Sequence, residues 1–223
     1  MIKSKNLINL TQKLKKFFKL NINFRQKRKI NKDLIMAAEN GNLQLVKSLV
    51  SQDADIHADN DSALRYASYN GHLEVVKYLV EKGAEIHSLN DIALKFACEN
   101  GNINVVKYLV EQGADIHAEK DYALRLAAYY GHLDVVKYLA EKGANLYADD
   151  DESLKMAANH LEVLKYFLFD CQMKIKKETK DYLQQNNHQQ TLELIEKRDL
   201  LFQLDKNVIQ KDSVDNLGKK VKI

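Results

Sequence analysis

Apolar and small residues return along this chain in a pattern that repeats every thirty residues. In one such unit, Leu64, Ala67 and Ser68 are three and four residues apart, which is the spacing of one helix face. A second stretch with the same spacing follows. Its apolar positions are Leu73, Val76, Leu79 and Val80. The pattern therefore predicts two short helices in every unit, here over residues 61–69 and 73–82.

Glycine marks the ends of these predicted helices. Gly71 separates the two helices of the unit, and Gly83 ends the second helix, where the chain needs the left-handed conformation that glycine adopts freely. Asp53 stands at the Gly83 position of the first unit, and aspartate tolerates this conformation better than most residues. The same two positions recur as Gly41, Gly101 and Gly131, and as Gly113 and Gly143.

Stacking between units must stabilise these helices, because an isolated helix is marginal in water below about 12–15 residues. Each unit of a repeat array contacts its neighbours, and neighbouring helices approach closely where their side chains are small. The first helices carry such small pairs at Ala37-Ala38, Ala67-Ser68, Ala97-Cys98, Ala127-Ala128 and Ala157-Ala158. The pattern therefore predicts an array of stacked helix pairs.

Over residues 31–198, the chain resembles the ankyrin repeat. The matching features are the small pair of the first helix, the Gly71-His72 turn and the Val75-Val76 second helix. The family's unit has about 33 residues and opens with Thr-Pro-Leu-His, whereas this unit has thirty and the chain has no proline. The resemblance implies an all-α, ankyrin-type helix-pair solenoid with shortened inter-repeat loops and little or no β-hairpin. This short variant also resembles the ankyrin proteins of giant DNA viruses of amoebae.

The repeat positions divide the chain into eight segments. The fifth repeat has lost two residues from the turn between its helices, and the sixth keeps only a faint second helix. The last segment is predicted to form a short helix and a frayed tail. The segments are a basic amphipathic stretch (1–30), four ankyrin repeats (31–60, 61–90, 91–120 and 121–150), a degenerate fifth repeat (151–177), a degenerate capping repeat (178–198) and a C-terminal tail (199–223).

An aspartate opens each later first helix in place of the family's Thr-Pro. Asp61, Asp91, Asp121 and Asp151 are predicted N-caps, each worth about 1 kcal/mol over alanine. A base follows each of them four residues later, so that local acid–base pairs can form. These bases are Arg65, Lys95, Arg125 and Lys155. Capping with local pairing is the favoured interpretation, and a charged stripe on the concave face is compatible with it.

Composition points to an intracellular protein. Cys98 and Cys171 have no metal or redox spacing, and Cys98 occupies a small-residue packing position. No apolar stretch approaches the roughly 18 residues of a membrane span. Lysines interrupt every apolar cluster near the N-terminus, so a secretory signal is not expected. We expect a monomer in the host cytoplasm, with the nucleus as the alternative.

The N-terminal segment carries an unbalanced positive charge. Residues 1–32 hold eleven Lys or Arg and no acid, while the remaining 23 basic and 31 acidic residues give a balance of −8. Its apolar residues, such as Leu10 and Leu14, favour a helix that covers the edge of the first repeat. Two other interpretations stay open: binding to a membrane surface or acidic partner, and a nucleic-acid or nuclear-import patch at residues 25–29.

The sequence offers no catalytic, cofactor or metal motif. Its eight glycines form neither a dinucleotide fingerprint nor a phosphate loop. His57, His87 and His117 recur once per unit. Equivalent positions on stacked helices are about 8–10 Å apart, whereas ligands of one zinc ion are each about 2 Å from it. We therefore expect a non-enzyme without cofactors, whose histidines form hydrogen bonds in the turns.

Ankyrin arrays that bind proteins usually hold the partner against the concave face, at loop tips and first helices. The resemblance therefore implies a protein partner here. Tyr69, Tyr129 and Tyr130 are the predicted anchors, because tyrosine is favoured at interface hot spots. The acidic run 149–152 would accept a basic segment of the partner. The predicted partner-binding residues are Asp61, Arg65, Tyr69, Asn70, Asp91, Lys95, Glu99, Asn100, Asp121, Arg125, Tyr129, Tyr130, Asp151 and Lys155.

Overall fold

The computed structural model describes residues 24–220, with side chains described as far as residue 204. The predictions for residues 1–23 therefore lie outside the described residues. The chain divides into two compact units, one ending at Asp115 and the other beginning at Ile116. The described residues form helices and turns and contain no strand, so the predicted all-α fold class is confirmed.

In the first unit, each repeat contributes two helices. First helices pack on first helices (α3 on α5), and second helices pack on second helices (α2 on α4, and α4 on α6). The elements are α1 (24–39), α2 (Leu43–Ser51), α3 (Ala58–Tyr69), α4 (Leu73–Glu81), α5 (Ser88–Glu99) and α6 (Ile103–Glu111).

The second unit begins with the same arrangement and then departs from it. α7 packs on α8 and on α9. In the fifth repeat, whose turn is shortened, a 3₁₀ turn is found at Ala157–Asn159 and a π-helical turn at Tyr166–Asp170. The helices are α7 (Ala118–Tyr130), α8 (Leu133–Glu141), α9 (Ala148–Met156), α10 (Leu161–Lys165), α11 (Lys177–Gln185) and α12 (Gln189–Lys220). The predicted short helix after residue 199 is wrong, since α12 starts earlier and is continuous to Lys220.

The core is formed by the apolar helix faces that the sequence pattern predicts. Val76, Leu79 and Cys98 are fully buried, and one leucine of each first helix is almost inaccessible to solvent. Burying such a side chain contributes about 1.5–3 kcal/mol. Because the same leucine recurs in every repeat, the contribution recurs with it. These leucines are Leu34, Leu64, Leu94, Leu124 and Leu154.

The loops before the first helices take a form that the sequence pattern did not predict. Asp59, Asn60 and Asp61 have φ values of 52°, 57° and 56°, so three consecutive residues are left-handed. The regular helix begins only after Asp61, which corrects the predicted helix start. The same left-handed turn precedes the later first helices at residues 89–91, 119–121 and 149–151. This turn is three residues long and lies where the ankyrin family has a longer hairpin loop.

Leu89 is the bulkiest apolar side chain in these turns. Its φ is 51°, and a non-glycine residue in this region is strained by about 1–2 kcal/mol, less for asparagine. Because Leu89 is 49% exposed, Leu89→Asn removes little packing, and we expect it to raise the free energy of unfolding by about 1 kcal/mol. Urea denaturation checks this value. Leu45→Asn, an exposed leucine inside α2, is the matched control and should not stabilise the protein.

Candidate functional site

The four predicted partner-binding aspartates are buried. Asp61, Asp91, Asp121 and Asp151 are 4%, 4%, 5% and 0% exposed. Asp61 Oδ1 accepts a hydrogen bond from the backbone N–H of Glu85, 2.9 Å away in the loop that closes the same repeat. The same oxygen lies 3.0 Å from Nδ1 of the His57 ring. Because an ionised carboxylate can only accept, His57 Nδ1 must carry the hydrogen.

This three-way contact is repeated along both units. In the first unit, Asp91 is bound by His87 at 3.0 Å and by the N–H of Asp115 at 3.0 Å. In the second unit, Asp121 is bound by His117 at 2.9 Å and by the N–H of Asn145 at 2.9 Å. We call these contacts the aspartate ladder. Its members are Asp61, Asp91 and Asp121 with their histidine and backbone donors.

The aspartate ladder corrects two predictions. These carboxylates do not cap their own helices, since each binds a backbone N–H 24 residues later, in the loop that closes its own repeat. They are also too buried to form a charged stripe for a partner. Asn31 has the same role in the first repeat, where its Oδ1 accepts the N–H of Asp55 at 2.8 Å. In the sequence, the feature that could have indicated these contacts is the histidine four residues before Asp61, Asp91 and Asp121.

Two of the four predicted basic residues bind the left-handed turns. Arg65 is half-buried and donates from Nη2 to the carbonyl oxygen of Asp59 at 2.8 Å. Arg125 makes the same bond to the carbonyl of Glu119 at 3.0 Å. Since Asp61 and Asp121 bind elsewhere, the predicted pairs with Arg65 and Arg125 do not form. Lys95 is 5% exposed, and Lys155 Nζ is 3.5 Å from Glu152.

The exposed members of the predicted surface are found at the ends of the first helices. In the first unit, Tyr69 is 38% exposed, and its ring meets Phe96 edge-on with centroids 5.5 Å apart. Asn70 is also exposed, but its amide donates to the carbonyl of Tyr66 at 3.0 Å. Asn100 repeats this bond to Phe96 at 3.3 Å. Glu99 is half-buried.

In the second unit, Tyr129 and Tyr130 form the largest exposed part of the predicted surface. They are 53% and 45% exposed. Their rings meet edge to face, 4.9 Å between centroids at 85°. The Tyr130 ring also stacks on His132, 6.4 Å between centroids at 19°. We call Tyr129, Tyr130 and His132 the aromatic cluster, and its rings are held against one another before any partner arrives.

A side chain of the next repeat fixes the backbone at this position. His160 Nε2 is 2.6 Å from the carbonyl oxygen of Tyr129, and the Asn102 amide donates to the carbonyl of Tyr69 at 2.7 Å in the first unit. Gly131 makes room for the His160 ring, because a Cβ there would lie 2.8 Å from His160 Cγ. These side chains were predicted only as turn residues, and the structure gives them a positioning role.

The predicted acidic end of the binding surface is neutralised. Asp149 is 2.7 Å from Lys120 Nζ and 3.2 Å from Arg125 Nη1. The Lys120 hydrogen bond holds the pKa of Asp149 below its usual value. Asp150 is 3.3 Å from Lys176, and Asp151 accepts from the Thr179 hydroxyl at 2.9 Å. The expectation that this end attracts a basic segment is therefore not supported by the local charge balance.

The described residues contain no group of three His, Cys, Asp or Glu side chains that could hold a metal ion. The Cys98 thiol is fully buried, and burial raises its pKa, so it is not an activated nucleophile. None of the described helices combines the length and the apolar character that a bilayer crossing requires.

Comparison with known families matches the repeats directly. The family model described as Ankyrin repeats (3 copies) matches residues 4–90, 34–120 and 94–181. No curated protein shows a significant match to the chain. The second match begins thirty residues after the first, and the third begins sixty residues after the second, so all three are in register with the repeat. Together they cover well over half of the chain. This protein therefore belongs to the ankyrin-repeat family.

Proposed function

We propose that this protein is a non-catalytic scaffold that binds a partner protein through the aromatic cluster. Ankyrin repeats are generally protein–protein interaction modules. The observation that carries the proposal is the pair of exposed tyrosines, Tyr129 and Tyr130, at the end of α7. Tyrosine is enriched at protein–protein interfaces and among the interface residues that dominate affinity.

The geometry of the cluster favours tight contact. Tyr129 and Tyr130 restrict one another by edge-to-face packing, and His160 holds the Tyr129 backbone. A partner would therefore lose less side-chain entropy on binding, since about 0.5–1.5 kcal/mol is paid for each flexible side chain that an interface immobilises. The Tyr129 ring also carries a hydroxyl that can donate to a backbone carbonyl of the partner.

The charges of the predicted binding surface do not select a charged partner. At the other end of α7 from the aromatic cluster, the aspartates are ion-paired with Lys120, Arg125 and Lys176 within the unit. An excess of either charge on the partner would therefore gain little. We propose a partner segment that presents apolar side chains and backbone hydrogen-bonding groups to the two rings.

The test compares Tyr129→Ser/Tyr130→Ser with Tyr182→Ser. Tyr182 is 38% exposed on α11 and serves as a matched control outside the cluster. Proteins captured from the native host are quantified for the wild type and both variants, and the affinity of the purified partner is then measured by calorimetry. We expect the double variant to raise Kd at least about 30-fold, equivalent to about 2 kcal/mol or more for hot-spot residues, and the control to leave it unchanged.

Circular dichroism must show that both variants keep the helical content of the wild type. An unchanged Kd for the double variant, or an equal loss with Tyr182→Ser, would move the partner surface away from the aromatic cluster.

A further inference from the structure

The first helix of the chain extends beyond the repeat. Asn31 makes the loop contact that Asp61 makes in the next repeat, so the two residues are equivalent. Where the later repeats have their left-handed turn, α1 is already helical, as far back as residue 24. The additional residues amount to about two helical turns, roughly 10 Å at 1.5 Å per residue. Residues 24–29 are all exposed, so the repeat core does not need them.

Positive charge is concentrated on these additional turns and on Lys32, which lies just beyond them. Arg25, Arg28, Lys29 and Lys32 are spaced as i, i+3, i+4 and i+7, and therefore share one face of α1. Together they line a shallow, open surface depression of about 380 Å³. Within the described residues, no carboxylate lies within ion-pair distance of any of these four side chains. We call them the basic face.

We propose that the basic face of α1 binds the phosphate backbone of a nucleic acid. A duplex carries one phosphate charge per about 1.7 Å of its axis, so the roughly 10 Å from Arg25 to Lys32 faces about six phosphates. Four unneutralised cations can each release a counterion there. The two arginines add bidentate hydrogen bonds to phosphate oxygens. Contacts of this kind do not depend on base sequence.

The packing of α1 favours a nucleic acid over a lipid surface. A helix that lies on a membrane buries an apolar face in the lipid opposite its charged face. The apolar face of α1 is packed in the repeat core, because Leu34, Ala37 and Ala38 are at most 3% exposed. The exposed apolar residues Phe24 and Met36 are twelve residues apart, about 18 Å along the helix, and form no continuous apolar face. The basic face is thus presented by a helix that cannot turn its apolar side to lipid without leaving the core.

The experiment uses the full chain and a fluorescein-labelled 30-base-pair duplex, titrated at several NaCl concentrations. The test variant carries Arg25→Gln, Arg28→Gln, Lys29→Gln and Lys32→Gln. The control removes the same charge from exposed lysines on or just after the second helices, through Lys47→Gln, Lys82→Gln, Lys107→Gln and Lys142→Gln. If all four cations contact phosphate, the slope of log K against log[NaCl] becomes shallower by about 3 to 4 in the test variant. The control should retain the wild-type slope.

Three results would overturn the proposal: an unchanged slope in the test variant, an equal change in the control, or preferred binding to another anion. The third is measured with vesicles of phosphatidylserine and phosphatidylcholine and with polyglutamate. Tighter wild-type binding to either probe than to the duplex, at equal anion concentration, would assign the basic face to lipid or to an acidic protein. Thermal unfolding verifies that both variants remain folded.

Discussion

Replacing Asp91 by alanine is expected to lower the free energy of unfolding by at least about 4 kcal/mol. Two hydrogen bonds to the carboxylate are lost, one from His87 and one from the N–H of Asp115. Bonds to a charged group each contribute about 1.5–3 kcal/mol. Alanine at φ 59° also adds strain, because its Cβ is unfavourable in the left-handed region. Urea denaturation at pH 7, followed by circular dichroism, measures the loss.

Asp91→Asn is the matched control for this prediction. Asparagine tolerates the left-handed conformation and keeps an oxygen that can accept the Asp115 N–H, as Asn31 accepts that of Asp55 in the first repeat. We expect a loss of only about 1 kcal/mol, from the missing charge opposite His87. A loss as large as that of the alanine variant would mean that the acceptor oxygen is not what stabilises the loop.

Gly131→Ala is expected to destabilise the second unit by about 3 to 4 kcal/mol. Gly131 has φ 79°, where an L side chain is strained by about 1–2 kcal/mol. The new Cβ would also lie 2.8 Å from His160 Cγ. Displacing that ring adds about 1–3 kcal/mol of overpacking and breaks its contact with the Tyr129 carbonyl.

Gly143→Ala separates these two causes. Gly143 has φ 98°, but nothing lies within 4 Å of an added Cβ. Its loss should therefore be limited to the backbone strain of about 1–2 kcal/mol. Thermal and urea unfolding of both variants give the comparison. Equal losses would contradict a steric role for His160.

The helix pairs could be predicted because their signal is local and repeated. Leu94 and Val106 are buried at the positions that the thirty-residue period assigns to them. The left-handed turns could not be predicted in the same way. They contain Leu89, Glu119 and Lys120, whose side chains give no preference for positive φ. The missing three residues of the loop were the only indication that the chain must turn sharply there.

The candidate site was predicted less completely, because its decisive contacts are distant in sequence. Asp61 looks like a helix cap when only its neighbours are considered, yet its partner is a backbone N–H 24 residues later. Asp149 looks unbalanced in its acidic run until Lys120, 29 residues earlier, is placed beside it. The exposure of Tyr129 and Tyr130 agrees with their place at the end of a helix, and their role as anchors stays a prediction.

The aspartate ladder has a consequence for how such a chain can lengthen. Each repeat supplies both the acceptor, such as Asp61, and the matching backbone donor, such as the N–H of Glu85. A tandem duplication of thirty residues in the gene would insert one new acceptor together with one new donor. The inserted copy would leave no polar group of this kind without a partner, whichever internal repeat was copied. Growth or loss of whole repeats is therefore far less damaging to this chain than an insertion of any other length.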